Sequence, residues 1–299
     1  MKVRLLCTAG TGQFDEVIWD KPEILSTEIE VRSIMTGVCR SDIDMMTGKF
    51  QTLPLSMQGH EGLGQVTKVG DTISSRVKVG DYVATRGEPA YADYYNVQQD
   101  SFVIVPTADP KYILEPVACG INIITQNMSA IIKKFHPRIL ILGSGFLAYT
   151  AYNTILHHDE ITYSEIVIVG NSNKKVWGDK LSQTYKGTFD IIIDLSSNVD
   201  VFEKTIVNNE SLIIFGAQKI VTTDFSNLLW KACTIAFPSP RTAMFPKAMQ
   251  LAELYVTSGG LPMIDEFWSK KYDRNTEWKQ AFSDGFHRPP NYSRGYIVW

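Results

Sequence analysis

The stretch RILILGSGFLA, residues 138–148, constrains the fold more than any other part of this chain. RILIL is a continuous apolar run that ends directly in glycine, as suits a strand buried on both faces of a parallel sheet. The turn after it, Gly143-Ser144-Gly145-Phe146-Leu147-Ala148, has the order G-x-G-x-x-A and opens a helix-capable segment. Gly143 permits the tight turn, Gly145 lets the backbone approach a pyrophosphate, and small Ala148 lets helix and strand pack closely. A phosphate would rest on the helix N-terminus, where free N–H groups and the helix dipole favour an anion. Three further apolar runs, 165–170, 189–197 and 211–217, follow with helix-capable segments between them. That is βαβ alternation, and it predicts a doubly wound α/β dinucleotide-binding domain.

The end of the next strand decides which dinucleotide. An aspartate or glutamate there would bond the adenosine ribose hydroxyls of NAD. This chain offers Asn171, Ser172, Asn173, Lys174 and Lys175 instead. No carboxylate would repel a 2′-phosphate, and the amide, hydroxyl and ammonium groups could receive it. The missing acid outweighs the plainer reading of a solvated, lysine-bearing loop, so NADP(H) is expected over NAD(H).

Upstream the texture differs. The first hundred residues read as short strands punctuated by glycine and proline, among them VKVGDYVATR (77–86) and ADYYNV (92–97). ILEPVACGINIITQNM (113–128) has helical apolar spacing, a helix is expected over 246–257, and the tail is mixed. The expected layout is a β-rich domain of residues 1–108 and 251–299 around a dinucleotide-binding domain of residues 109–250. At 299 residues with 44% hydrophobic and 20% charged side chains, the chain has the size and composition for about two globular domains. A net charge of −3 gives no basic excess for nucleic acid or an anionic membrane. No run nears the ~20 apolar residues of a membrane span, and the opening MKVRLLCTAG leaves apolar residues too soon for a signal peptide. Cys7, Cys39, Cys119 and Cys233 are widely spaced, which fits a reducing, cytoplasmic setting.

The segment GVCRSDIDMMTGKFQTLPLSMQGHEGLG (37–64) gathers Cys39, Asp42, His60 and Glu61. Catalytic zinc takes three protein ligands and keeps a position open for water or substrate. Cys39 and His60 would serve as thiolate and imidazole, with Glu61, Glu115 and Cys119 as candidates for the third ligand. Burying Glu115, just before a proline at the start of an apolar helix, would be costly without a partner, and a metal would supply one.

GVCRSD (37–42), GHEGLG (59–64), VGDYV (79–83), LEP (114–116) and the glycine turn occur in one order. In that order and spacing the chain resembles the zinc-dependent medium-chain dehydrogenase/reductases over nearly its whole length. FPKAMQLAELYVTSGGLP, near the end, also looks like that family's last nucleotide-domain helix and its return to the catalytic domain. The resemblance implies a β-rich GroES-like catalytic domain beside a Rossmann domain. Cys39 and His60 match the first two ligands of a single catalytic zinc. Glu115 matches the glutamate ligand of the polyol-dehydrogenase-like branch, with Cys119 as the alternative. Glu61 matches a glutamate close to zinc that can replace water in its shell, and Asp42 matches a carboxylate that orients the imidazole. Ser41 matches the hydroxyl that takes the substrate proton.

Two departures stand out. The four-cysteine lobe that holds a structural zinc in relatives is absent after VGDYV, and Asp44 replaces the histidine at the outer end of their proton relay. Residues 215–217, including Phe215 and Gly216, and residues 237–239 are expected on the nicotinamide side. Phe50 and Tyr91 are aromatic candidates for the substrate pocket, although aromatics there more often belong to the core. The implied activity is hydride transfer between NADP(H) and a small alcohol, polyol or carbonyl compound, in a homodimer formed through the nucleotide domain. The rival readings are a zinc-free enone or quinone reductase, whose relatives lack the cysteine and histidine ligands, and a non-catalytic NADP(H)-binding redox sensor.

Overall fold

The computed structural model describes the chain apart from residues 9–11, 50, 55–57, 197–209, 217–225, 227–228 and 240–241. The described residues form two compact units, Met1–Pro116 with Met249–Trp299, and Val117–Ala248.

The first unit is built on the strand Glu28–Gly37, which pairs antiparallel with Gly62–Val69, Tyr94–Gln98 and Arg294–Val298. Its sheet runs in spatial order Trp268–Asp273, Arg294–Val298, Glu28–Gly37, Gly62–Val69, Tyr82–Thr85 and Phe102–Val105. A separate antiparallel pair, Lys2–Thr8 and Phe14–Asp20, contributes Leu5, Leu6 and Phe14 to the core. Ile29, Val31, Val66, Val83 and Tyr95 fill the same core, as the β-branched and aromatic content of these strands dictates. The strand expected over 77–86 begins at Tyr82, because the chain turns at Gly80 with φ +96°. The tail resolves into a helix Phe245–Thr257, a strand Trp268–Asp273, a helix Trp278–His287 and a strand Arg294–Val298.

Glu30, on the central strand, is buried with Lys21. Lys21 Nζ lies 2.9 Å from Glu30 Oε2, and Thr67 Oγ1 donates to Glu30 Oε1 at 2.9 Å. Burial alone would raise this carboxyl, but the bonds from Lys21 and Thr67 outweigh it and hold it below the usual carboxylate range. A lowered folded pKa contributes stability that is complete above the unfolded value and lost as pH falls through the folded one. Glu30→Gln should therefore be less stable than the parent near neutrality, with the gap in urea midpoints closing as pH drops through the carboxylate range. A gap that does not change with pH would contradict this account.

The second unit carries a parallel sheet in spatial order Leu181–Ser182, Glu165–Val169, Arg138–Leu142, Ile191–Asp194, Leu212–Phe215 and Thr234–Ala236. Numbered along the chain that is 3-2-1-4-5-6, the order of a doubly wound dinucleotide fold. Leu140, Leu142, Ile192 and Ile213 pack as one cluster with Phe189 and Phe215, which explains the uninterrupted apolar runs. Strand order reverses between Arg138–Leu142 and Ile191–Asp194, and ligands of such sheets bind outside the strand C-termini at that reversal. The helix expected over 113–128 runs only from Glu115 to Thr125, and Asn127 Nδ2 bonds back to the Ile123 carbonyl at 2.8 Å where it stops. Among the described residues, no helix is long and apolar enough to cross a membrane.

Candidate metal centre and nucleotide turn

Cys39 sits immediately before the short helix Arg40–Met46, and its backbone N–H donates to Asp42 Oδ2 at 3.2 Å. The helix thus starts by fastening the thiol-bearing residue to Asp42, three positions on. His60 and Glu61 lie just before the strand Gly62–Val69. They follow Gly59, which has φ +78° and faces the Tyr91 ring so closely that a Cβ there would collide with it. Only glycine meets both conditions.

The fold brings the Cys39 Sγ, a His60 ring nitrogen and a Glu61 oxygen within 4.8 Å of one another. Donors held about 2.0–2.3 Å from one tetrahedral zinc are spaced by roughly 3.3–3.8 Å, so a small inward adjustment of this trio, whose donor chemistry suits zinc, would let it hold one. Glu115 is buried at the start of its helix and lies outside that trio, yet near enough for its charge to act on His60. Cys119, on the same helix, falls in the other unit. Ser41 Oγ donates to Cys39 Sγ at 3.3 Å. His60 Nδ1 faces Asp42 Oδ1 at 3.8 Å, and Asp42 Oδ2 accepts from the Tyr91 hydroxyl at 2.7 Å.

Electrostatics follow from this crowding. Burial alone would lower the His60 imidazole, but Cys39, Asp42 and Glu115 outweigh it and raise it well above its ordinary value. Burial pushes the Cys39 thiol up, and Glu61 adds to that against the pull of His60. The imidazole thus sits among a thiol and the carboxylates of Asp42, Glu61 and Glu115.

Two residues carry roles that sequence reading did not assign. Arg294, on the last strand, binds both carboxylate oxygens of Glu61 through Nη2. Burial would lower this guanidinium, and Glu61 more than reverses that, so Arg294 stays charged. Tyr91 is wholly buried in the core, not in a pocket, which corrects the expectation that it lines substrate. Phe50 lies outside the described residues. Asp44 is buried with Oδ1 3.0 Å from Arg40 Nε, an i,i+4 ion pair on one helix turn. Arg40, Arg288 and Arg294 line one small cavity with Cys39, Tyr292 and Ser293.

In the second unit, Gly143 takes φ +110°, and a Cβ there would press on the Leu195 backbone of the neighbouring segment at 3.1 Å. Gly145 is open, with nothing within 4 Å of the Cβ position, and the helix Phe146–Leu156 starts after it. Ala148 is buried, as close helix–strand packing requires. The loop after the second strand folds onto this turn. Ser172 Oγ lies 2.9 Å from Ser144 Oγ, and Asn173 Nδ2 donates to the Ser144 carbonyl at 2.8 Å. Asn171 and Lys174 beside them are exposed. Phe215 stacks on the exposed Phe237 at 5.5 Å, Gly216 packs against Leu195 and Ile123, and the Ser239 carbonyl accepts from Asn122 and Gln126. Residue 217 lies outside the described residues.

Residues 26–107 match the alcohol dehydrogenase GroES-like domain, and this stretch carries Cys39, His60 and Glu61. That stretch is alcohol dehydrogenase-like. It is 36% identical over 83 residues to alcohol dehydrogenase 2 of Emericella nidulans, covering 26% of this chain and 23% of that protein. Against sorbitol dehydrogenase 1 of Saccharomyces cerevisiae the identity is 40% over 96 residues, 27% of each chain. The chain therefore spans about a quarter of the length of these curated relatives. Its fold is similar to that of S. aureus TarJ in complex with NADPH, with a TM-score of 0.77 at 19% identity over 100% of this chain and 99% of that one. At that identity the likeness speaks for the fold.

Proposed function

We propose that this protein is a zinc-dependent oxidoreductase that transfers hydride between NADP(H) and a small alcohol, polyol or carbonyl compound. The observation that carries the reading is the Cys39–His60–Glu61 trio inside an alcohol dehydrogenase GroES-like domain. In this reading residues 1–108 and 251–299 act as the catalytic domain and 109–250 as the dinucleotide-binding domain. Cys39 and His60 would hold one zinc with Glu115 as third ligand, and Glu61, bound by Arg294, would stand beside it. Zinc in that position supplies Lewis acidity toward a substrate oxygen. Ser41, whose hydroxyl rests on Cys39 Sγ, takes the substrate's hydroxyl proton. Asp42, whose Oδ1 lies 3.8 Å from His60 Nδ1, would orient the imidazole. With Asp44 engaged by Arg40, the proton leaves Ser41 for solvent by a route shorter than the relay of relatives. The nicotinamide cofactor supplies the redox chemistry, and the chain's part is to seat it on the 143–147 turn.

The test is metal analysis joined to turnover. About one zinc per purified chain is expected, together with NADP-linked oxidation of members of an alcohol and polyol panel. A metal-free protein that reduces enones or quinones would replace this reading with the zinc-free one.

Preference for the phosphorylated cofactor rests on the acid-free loop from Asn171 to Lys174, with Ser172 and Asn173 bonded to the glycine turn. NADPH is expected to bind more tightly than NADH. Ser172→Asp should invert that order by placing a carboxylate where the 2′-phosphate sits. Equal affinities in the parent protein would remove the argument. Four free cysteines fit a cytoplasmic location, and a homodimer through the nucleotide-binding unit would cover the exposed Trp230 and Phe237.

A further inference from the structure

We infer that Tyr91 is a positioning residue for the metal centre, holding Asp42 so that Asp42 in turn fixes the His60 ring. The inference rests on the zinc reading above and adds to it a residue that does not touch the ion. Asp42 is buried, and among the described residues no arginine or lysine pairs with it. Its Oδ2 is occupied by two donors, the Tyr91 hydroxyl at 2.7 Å and the Cys39 N–H at 3.2 Å. That leaves Oδ1 directed at His60 Nδ1, 3.8 Å away. A carboxylate with two hydrogen bonds on one oxygen cannot rotate freely, so the phenol, which makes the shorter of the two, helps set where the other oxygen points.

Tyr91 is well placed to impose this. Its ring packs edge-on against Phe14 and Phe282, with centroids 6.3 and 5.3 Å away. The same hydroxyl lies 3.2 Å from the Gly37 carbonyl, two residues before Cys39. The ring also presses on Gly59, the residue before His60, and the Ala90 N–H donates to the Gly59 carbonyl at 3.0 Å. One buried side chain thereby touches both ligand-bearing segments and the carboxylate between them. Groups that orient a ligand's far side commonly change metal affinity by about 10- to 100-fold when removed.

The experiment measures Zn2+ affinity of the full chain by competition with a chelator, apart from any turnover. Tyr91→Phe keeps the ring and its packing and should weaken Zn2+ about tenfold. The control is Tyr95→Phe, which also deletes a fully buried hydroxyl, one bonded to Thr85 at 2.9 Å and not to Asp42. It should lower thermal stability comparably and leave Zn2+ affinity unchanged. Asp42→Asn should weaken Zn2+ by itself, and adding Tyr91→Phe to it should cost less than about twofold more. Parent-like affinity in Tyr91→Phe or in Asp42→Asn overturns the inference, as does a tenfold loss that persists in the double variant. If the parent chain binds no Zn2+, the zinc reading falls and this inference with it. If the parent binds and Tyr91→Phe binds equally well, only the inference falls.

Discussion

Arg294→Ala is expected to destabilise the protein by about 3–5 kcal/mol, the range found when one partner is removed from a buried ion pair. Glu61 is 1% exposed and Arg294 14%, so solvent does little to screen the pair. The loss has two parts. The carboxylate is left buried without its guanidinium, and the guanidinium's stacking over the Trp268 ring, 5.1 Å to centroid, is lost as well. The pair also joins the strand Arg294–Val298 to the segment that carries His60, positions 233 residues apart in sequence. Arg294→Met combined with Glu61→Gln should recover much of the stability, because no buried charge is then left alone. Urea unfolding of the single and double variants decides it. A double variant no more stable than Arg294→Ala would mean that the stranded charge is not the main cost.

What the sequence could reveal divides by distance along the chain. Cys39, Ser41 and Asp42 lie within four residues, and one short helix start fixes their geometry, so one short sequence motif carries all three. The glycine turn is legible for the same reason, since Gly143 is demanded by local backbone conformation. Apolar runs betray the parallel strands because both faces of that sheet are buried. The strand Thr234–Ala236 escapes such reading, since three residues are too few to show a period.

Arg294 was beyond reach for a different reason. Nothing in its neighbourhood, a polar and proline-containing tail, marks it as the partner of Glu61, and only the strand pairing of Tyr296 with Gly37 brings it near. Tyr91 carried an ambiguous signal, an aromatic beside a motif, and the structure takes the commoner of its two readings, core. Asp44 did carry a usable one. Arg40 stands four residues before it on the same helix, and that spacing anticipates the ion pair the structure contains.

His60→Ala should separate the functional readings most sharply. It removes the imidazole from the trio, leaving Cys39 and Glu61 with Glu115 to hold an ion. Losing a direct ligand should cost more than losing a supporting residue, so zinc affinity should fall by more than about 100-fold. NADP-linked turnover should fall with it, toward the level of the metal-depleted parent. NADPH binding should stay near the parent value, because the Gly143–Ser144–Gly145 turn and the Asn171–Lys174 loop belong to the other unit. Fluorescence titration with NADPH, beside metal content and initial rates, reads all three properties on one preparation. A zinc-free reductase would lose little activity in this variant. A redox sensor would show no turnover in either protein and the same cofactor affinity in both. Only a catalytic zinc makes metal content and rate fall together while cofactor binding holds, and the crowding of Cys39, Asp42 and Glu115 around His60 is the reason to expect it.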